Sequence, residues 1–235
     1  MSQLLSTQQQ RYLQLMGIDV WLDRANQTTS IDTALEDNAV VTTVSRDTLD
    51  QAWDALSEQV SSCQQCGLHT SRTQTVFGVG NCNADWLIIG EAPGAEEDRK
   101  GEPFVGRAGK LLDAMLEAVG LDRQRVYVAN ILKCRPPNNR NPKIEEAVAC
   151  EEFLKRQIAL VNPKIILALG RIAAQNLLKV DTSIGRMREK IYEYPEPKVP
   201  IIATYHPAYL LRSPREKRKA WEDLQLAMKI VEENG

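Results

Sequence analysis

The chain has 235 residues, 43% of them hydrophobic and 26% charged, so it is long enough to bury a core and polar enough to stay dissolved. Its formal net charge of −2 excludes a uniformly basic surface for nucleic acid but not a local basic patch, because phosphate affinity depends on how charge is distributed. No apolar run approaches the roughly 20 residues of a membrane-spanning helix, and the first ten residues lack the pattern of a secretory signal. We therefore expect a cytoplasmic protein, without a membrane partner, whose five cysteines are ligands or free thiols.

The first 60 residues differ in composition from the rest of the chain. Residues 11–24 are a short amphipathic stretch, and we predict that the segment 1–24 binds a partner or packs on its own domain. Residues 25–45 are polar and show no sustained period, which predicts a linker. Residues 45–62 predict a helix, since apolar side chains recur there at spacings of three and four, and the main domain, 46–235, is expected to begin with this helix.

Short apolar runs alternate with longer amphipathic ones after Cys63. Four apolar runs predict buried strands, at residues 86–89, 126–131, 165–169 and 199–203. Helices are predicted between and after these strands, at residues 108–119, 143–161, 171–178 and 214–233. The alternation predicts an α/β fold in which helices cover both faces of a parallel sheet. Ligands bind at the carboxyl ends of the strands in such sheets, so the residues that follow each strand form the candidate site.

Two glycine-containing loops follow the first predicted strand. In the loop of residues 90–98, the glycines and a proline allow the backbone to approach a ligand closely, and the acidic side chains are suited to orient water or stabilise a cation. Further on, Phe104 lies beside a glycine-rich helix start, where a ring can stack on a flat base while Arg107 and Lys110 receive a phosphate. An ordinary strand-to-helix turn and a core phenylalanine are the simpler interpretations of these two segments.

Polar side chains also end the second and fourth predicted strands. The amide of Asn130 carries both a donor and an acceptor and is suited to pair with the edge of a base, although a lone Asn is more often a cap. His206 lies on a proline-stiffened loop, where it is a candidate to hydrogen-bond a developing anion. The apolar residues 209–211 that follow are suited to wedge into a base stack, or else form a buried cluster at a helix start.

Four of the five cysteines have a spacing that is typical of a metal site. Cys63 and Cys66 form a C-x-x-C pair, Cys134 follows the second strand, and Cys150 lies 16 residues later on a predicted helix. Four thiolates bind a tetrahedral zinc ion or a [4Fe–4S] cluster, whereas a thioredoxin-like redox pair is disfavoured because the C-x-x-C precedes the sheet. Cys82 is interpreted as a free thiol.

Five short blocks resemble family 4 uracil-DNA glycosylases in their order and approximate spacing. They are residues 91–94, 103–109, 129–130, 133–137 and 206–207, and the resemblance runs from about Cys63 to Val231. It implies a three-layer α/β/α fold with a central four-stranded parallel sheet. It also implies hydrolysis of the N-glycosidic bond of deoxyuridine in DNA, which leaves an abasic site. The four spaced cysteines match the ligands of the family's [4Fe–4S] cluster, which is expected to have a structural role.

The resemblance also implies roles for individual residues. Phe104 is expected to stack on uracil, Asn130 to read its edge and His206 to stabilise negative charge at its O2 atom. The expected substrate-binding residues are Ala92, Gly94, Glu97, Phe104 and Asn139, and the expected DNA contacts are Arg107, Lys110, Arg135, Tyr209, Leu210 and Arg212.

The water-activating group is not fixed by the resemblance. Better-known uracil glycosylases have an Asp at the place of Ala92, so Glu91, Glu97 and Asn139 are the candidates to position water, with Glu91 first, and assistance by the DNA phosphates is the alternative. A covalently trapped subfamily uses a His in the loop after the third cysteine, and residues 135–140 contain none, which predicts ordinary turnover.

Residues 11–21 resemble the start of the psi subunit of the replicative clamp loader. A short apolar peptide on a tether suits partner binding, which implies a clamp-loader or other replisome partner for residues 11–24. Two alternatives to uracil excision follow: a replisome adaptor on a glycosylase fold, and a glycosylase for another deaminated or mismatched base. Uracil-containing DNA, single- or double-stranded, is the expected substrate of a protein that we expect to be a monomer.

Overall fold

The structure, a computed structural model, describes residues 46–233. The partner-binding segment predicted at 1–24 and the linker predicted at 25–45 lie outside the described residues. Within residues 46–233, no helix is both long and apolar enough to cross a membrane.

A six-stranded sheet forms the centre of the domain. Its strands are β1 (Val79–Gly80), β2 (Trp86–Gly90), β3 (Val126–Asn130), β4 (Ile165–Leu169), β5 (Ile191–Tyr194) and β6 (Val199–Thr204). They lie side by side in the order β1-β3-β2-β4-β6-β5. The inner four strands are parallel, and the two edge strands are antiparallel to their neighbours.

The four predicted strands are therefore confirmed as the parallel part of the sheet, but the expected total of four strands is wrong. β1 has only two residues, and β5 has a half-exposed face without a continuous apolar run. Neither of these edge strands carries the pattern by which buried strands are predicted from sequence.

Eight α-helices occur among the described residues. They are α1 (Arg46–Ser61), α2 (Ala95–Lys100), α3 (Arg107–Ala118), α4 (Ile144–Val161), α5 (Arg171–Leu178), α6 (Ile184–Met187), α7 (Pro207–Arg212) and α8 (Lys217–Glu233). The five predicted helices are confirmed to within a few residues, and the last one is preceded by a 3₁₀ turn, Pro214–Glu216. The short helices α2, α6 and α7 were not predicted, because four to six residues are too few to show a helical period.

Helices cover both faces of the sheet and confirm the three-layer α/β/α fold. Successive strand residues point to opposite faces, so Leu87 and Ile89 join one core while Ile88 joins the other. Trp53 and Ile158, from α1 and α4, pack in the first core. The second core includes helical residues of α3 and α8, among them Leu112, Leu116, Leu224 and Ala227.

The register of the inner strands brings their carboxyl ends together. Gly90 at the end of β2 pairs with Asn130 at the end of β3. The pairing continues beyond both strands, since the Ile131 N–H donates to the Gly90 carbonyl at 2.9 Å and the Leu132 N–H donates to the Glu91 carbonyl at 3.1 Å. The loops that leave these strands are therefore hydrogen-bonded to each other where a ligand site is expected.

A buried ion pair lies beside Tyr205, the residue that follows the carboxyl end of β6. Arg188, which follows α6, donates from Nε to Asp223 Oδ2 on α8 at 2.7 Å and from Nη2 to Oδ1 at 3.1 Å. The side chains are 3% and 0% exposed, and the guanidinium also lies 5.0 Å from the centre of the Tyr205 ring. Two-point pairing of this kind offsets the desolvation of both charges, and the loss of Asp223 leaves the buried guanidinium with only the longer contacts to Glu189 at 3.4 Å and Glu222 at 4.0 Å.

We expect Asp223→Ala to lower the free energy of unfolding by about 3–5 kcal/mol, because it strands the Arg188 guanidinium in the core. Urea denaturation followed by circular dichroism measures the change. Glu222→Gln is the matched control on the same helix, since Glu222 is 41% exposed and its ion pairs are expected to contribute less than about 1 kcal/mol. Equal losses in the two variants would contradict a specific role for the buried pair.

Candidate active site

Gly90, Phe104 and Asn130 lie together at the joined ends of β2 and β3, and we call this place the recess. Gly90 has no side chain, and a Cβ atom there would lie 2.4 Å from Asn130 Oδ1 and 2.5 Å from Phe104 Cζ. Real Cβ atoms do not make such contacts, so any larger residue would fill the space between the amide and the aromatic ring. The missing side chain therefore lets the aromatic ring and the amide approach the backbone of Gly90 closely.

The Asn130 side chain is a buried acceptor that lacks a donor. Asn130 is 2% exposed, and its Oδ1 atom has no hydrogen-bond partner among the described residues. A buried polar atom left in this way costs about 1–3 kcal/mol, and such an atom in a native fold calls for an explanation. A ligand N–H that enters the recess would satisfy it.

Phe104 is held in an unusual backbone conformation beside this amide. Its φ of 55° lies in the left-handed region, which costs a non-glycine residue about 1 kcal/mol or more. The ring packs in the core of the α3 and α8 face, and it stacks on His206 with centroids 5.5 Å apart and planes at 29°. Phe104 is thus both a core residue and one wall of the recess.

His206 is a neutral hydrogen-bond donor in this structure. Its Nδ1 atom accepts the Ala208 N–H at 3.1 Å at the start of α7, which assigns the ring proton to Nε2. Burial, followed by the charge of Arg212, lowers the pKa of His206 to about 4. Gly170 permits the close approach of the ring, since a Cβ atom there would lie 2.9 Å from His206 Cβ.

Glu97 and Glu91, two of the three glutamates in residues 90–98, have different environments. Glu97 accepts three backbone N–H groups, those of Gly94 at 3.1 Å, Val105 at 2.9 Å and Gly106 at 3.0 Å, and so ties the first loop to the Phe104 loop. Burial raises the pKa of Glu91, and the nearby charge of Arg171 partly offsets that effect.

The remaining predicted base contacts lie outside the recess or face away from it. Ala92 packs against the cluster of residues around the cysteines. Asn139 lies on an exposed turn after Pro136, and its Oδ1 atom accepts a hydrogen bond from Arg135 Nε at 2.8 Å. The structure therefore pairs Asn139 with a predicted DNA contact.

The predicted DNA contacts lie mostly on the surface. Arg107 and Lys110, in the first turn of α3, and Arg212, at the end of α7, are exposed. Leu210 needs a correction, because it is 1% exposed and packs in the core, whereas Tyr209 and Leu211 are 36% and 37% exposed. The helical phase of α7 turns Leu210 inward, so an apolar wedge from this helix has to come from its two neighbours.

The four predicted ligand cysteines line one cavity between α1, α4 and the loop after β3. Its lining includes Cys63, Cys66, Cys134 and Cys150 together with apolar side chains such as Val60, Leu132 and Phe153. Arg72 Nη1 donates to Cys134 Sγ at 3.1 Å, and the Lys133 N–H donates to Cys150 Sγ at 3.3 Å. Burial raises the pKa of the Cys134 thiol, and it raises that of Cys150 to about 11.

The cysteine geometry bears on which metal group fits. Within residues 46–233, no three His, Cys, Asp or Glu side chains converge on the position of one metal ion. A zinc ion needs all its ligands at about 2.3 Å from one point, whereas a [4Fe–4S] cluster takes one thiolate at each of four separate irons. The cavity's four thiols and its sulfur-directed N–H donors fit the larger group. Cys82 is not among the residues that line this cavity.

Two positioning residues of the site were not predicted from sequence. Lys133 is 1% exposed, and its Nζ atom donates to the Asn130 carbonyl at 2.9 Å and to Gln157 Oε1 at 2.5 Å. Arg123 donates to the carbonyls of Pro103 and Phe104. Lys133 belongs to a recognised sequence block, but its inward direction is a tertiary property, and no sequence signal distinguishes Arg123 from other surface arginines.

Comparisons with known proteins place the domain among known enzymes. Residues 77–225 match the model of the Uracil DNA glycosylase superfamily. The chain is 46% identical to a Type-4 uracil-DNA glycosylase of Archaeoglobus fulgidus, over 74% of this chain and 91% of that protein. It is 41% identical to the Type-4 enzyme of Thermotoga maritima, over 80% of this chain and 99% of that protein. A Type-5 uracil-DNA glycosylase of Pyrobaculum aerophilum is 30% identical over 56% of this chain and 64% of that protein.

The assigned state of His206 gives a testable pH dependence. Because the folded protein lowers this pKa from about 6.5 to about 4, His206 opposes folding increasingly as the pH falls through that interval. We expect the ring ¹⁵N signals of His206 to show a neutral Nε2–H tautomer and to stay constant from about pH 8 to about pH 5.5.

The chain has only one other histidine, His69, so His206→Asn suffices to assign the signals. A transition of the His206 signals near pH 6.5 would show that the ring is not held neutral.

Proposed function

Because the chain belongs to the uracil DNA glycosylase superfamily, and within it to the Type-4 uracil-DNA glycosylases, we propose that the recess at Gly90, Phe104 and Asn130 binds a uracil that has left the DNA helix. The protein is a monofunctional glycosylase that hydrolyses the N-glycosidic bond of deoxyuridine in DNA. The observation that carries the recess assignment is the donorless, buried Oδ1 atom of Asn130 beside the Phe104 ring.

Uracil supplies the groups that this recess lacks. Its edge carries an N3–H donor for Asn130 Oδ1 and an O4 acceptor for the same amide, while its flat face suits the Phe104 ring. Unstacking the base from DNA costs a few kcal/mol, and satisfying the orphaned amide offsets part of that cost.

Bond cleavage places positive charge on the sugar and negative charge on uracil. The protein's contribution is electrostatic, since interactions that strengthen as charge develops lower the barrier. The neutral Nε2–H group of His206 is suited to donate to the O2 atom of the departing uracil. It can do so without giving up a proton, because its Nδ1 atom remains bonded to the Ala208 N–H.

Glu91 is the best-supported group to orient the attacking water and stabilise the sugar cation. Glu97 is committed to three backbone N–H groups, and the Asn139 amide oxygen is committed to Arg135. Ala92 offers no polar group at the place where other uracil glycosylases have an Asp. The loop 135–140 contains no His, which supports release of uracil without a trapped covalent intermediate.

The four-cysteine cavity supports a [4Fe–4S] cluster with a structural role. Cys63, Cys66, Cys134 and Cys150 would bind it as thiolates, and the bound cluster would replace the thiol protons and cross-link α1, α4 and the loop after β3. The half-buried Ala92 packs against the apolar residues around the four cysteines. The cluster would therefore also support the loop of residues 90–98.

Exposed residues, together with the partly buried Arg135, support a DNA-binding face. Arg107, Lys110, Arg135 and Arg212 supply positive charge for phosphates, and Tyr209 with Leu211 supplies the apolar surface for a wedge. An intact base recess argues against an adaptor without catalytic activity, because a scaffold has no use for an orphaned buried amide. The clamp-loader contact of residues 11–24 and the cytoplasmic location stay predictions.

Gly90→Ala tests the recess directly. Its Cβ atom would overlap the Asn130 amide and the Phe104 ring, so we expect kcat/KM for uracil release from a single-stranded oligonucleotide to fall at least about a hundredfold. Gly185→Ala is the matched control, since its Cβ atom would meet only Tyr205 Oη at an ordinary 3.9 Å.

The assay includes oligonucleotides with uracil opposite G, uracil opposite A and other deaminated bases. Failure of the wild-type protein to release uracil from any of them would refute the proposed activity. Release of another base in preference to uracil would favour the glycosylase for another lesion.

Iron analysis tests the cluster. We expect about four irons and four sulfides per chain and a broad absorbance near 400 nm, with the loss of both in Cys134→Ser. Cys82→Ser is the control, because Cys82 lies outside the four-cysteine cavity and its replacement should leave the iron content unchanged. A protein with one zinc ion per chain and no sulfide would contradict the cluster.

A further inference from the structure

We propose that Arg123 is the positioning residue that holds the backbone of Phe104 in its left-handed conformation and thereby sets the ring against the base. The inference rests on the proposed stacking role of Phe104. It adds a residue outside the recess that acts only through that ring.

The contacts of Arg123 are directed at the backbone of the Phe104 loop. Its Nη1 atom donates to the Pro103 carbonyl at 3.1 Å, and its Nη2 atom donates to the Phe104 carbonyl at 2.7 Å. The Nε atom donates to Asp113 Oδ1 on α3 at 2.6 Å, which orients the guanidinium plane. The guanidinium is rigid and planar, so these three bonds fix its position relative to the loop.

The bidentate contact favours the left-handed conformation of Phe104 over an extended one. One guanidinium can bind two successive carbonyls only where both point to the same side. Helical dihedral angles of either hand give that arrangement, and extended ones do not. Phe104 has a φ of 55°, which is costly for a residue with a side chain. Two charge-assisted hydrogen bonds, each stronger than a neutral one, offset that cost.

The opposite side of the same loop is held by a second charged group. The Glu97 carboxylate accepts the N–H groups of Val105 and Gly106, while Arg123 binds the two preceding carbonyls. Gly109 on α3 approaches so closely that a Cβ atom there would lie 1.6 Å from the Phe104 carbonyl oxygen. Glu97 and Arg123 thus hold the Phe104 loop from two sides. Glu97 belongs to the loop of residues 90–98, whereas Arg123 lies outside that loop.

Double-mutant kinetics test the proposal. Arg123→Met keeps much of the aliphatic chain and removes all the side-chain donors. Arg125→Met is the matched control, because Arg125 lies in the same turn and its side chain donates to the Gly120 carbonyl instead of the Phe104 loop. We expect Arg123→Met to lower kcat/KM for uracil release about tenfold or more in the wild-type background. In a Phe104→Ala background it should cause less than about a twofold further loss, since the ring that it positions is gone.

A merely structural role, or a direct contact of Arg123 with a DNA phosphate, would lower activity by the same factor in both backgrounds, and that result would overturn the proposal. Arg123→Lys retains a charged donor group without the planar fork and should lose less activity than Arg123→Met. No loss in either variant would also overturn the proposal.

Hydrogen–deuterium exchange gives a readout that does not depend on activity. Peptides that contain residues 103–110 should exchange faster in Arg123→Met than in Arg125→Met, and equal exchange would overturn the proposal. If the wild-type protein releases no uracil, the proposed activity fails while the exchange result still decides the positioning role. If Phe104→Ala alone retains full activity, the stacking role fails and the consequence for catalysis fails with it.

Discussion

The in-register parallel pairing of β2 with β3 is the constraint on which the active site depends. It sets Gly90 opposite Asn130, so the position without a side chain faces the amide that needs a ligand. A slip of one residue in a strand sends every side chain to the other face, which would turn the Asn130 amide away from Phe104. The side chains of both strands pack into the two cores on opposite faces of the sheet, and a slip would exchange them between the cores and disrupt that packing.

Hydrogen bonds and neighbouring residues of the chain connect the cysteine cavity with the Phe104 loop. Arg72 binds Cys134, and its neighbour Thr73 donates to the buried carboxylate of Asp98 from both its N–H and its hydroxyl. Asp98 lies on α2 beside Glu97, the residue that holds the Phe104 loop. A group bound by the cysteines can therefore affect base binding by fixing loops, at a distance from the bond that breaks and without any part in the chemistry.

Features that depend on a continuous sequence pattern were predictable from the sequence. Features that depend on tertiary contacts were not. The four inner strands were predictable because buried parallel strands are unbroken apolar runs, whereas β1 and β5 are short edge strands without one. Residue types at strand ends, such as Asn130 and His206, indicated the chemistry of the site. Leu210 was misassigned because the phase of a six-residue helix cannot be derived from its own sequence.

The free protein has a buried amide without a hydrogen-bond partner at the recess, and a flipped base that binds this amide would relieve its free-energy cost. The orphaned Asn130 amide costs about 1–3 kcal/mol, which is of the same order as the few kcal/mol needed to extrude a base from the helix. His206 adds no charge that a neutral base would have to desolvate, because burial keeps its imidazole neutral. In the proposed mechanism, the Nε2–H donor therefore binds neutral uracil weakly and the departing anion strongly. Since only the second interaction grows as the bond breaks, it stabilises the transition state relative to bound substrate, while the Asn130 contact acts mainly at the earlier step of base capture.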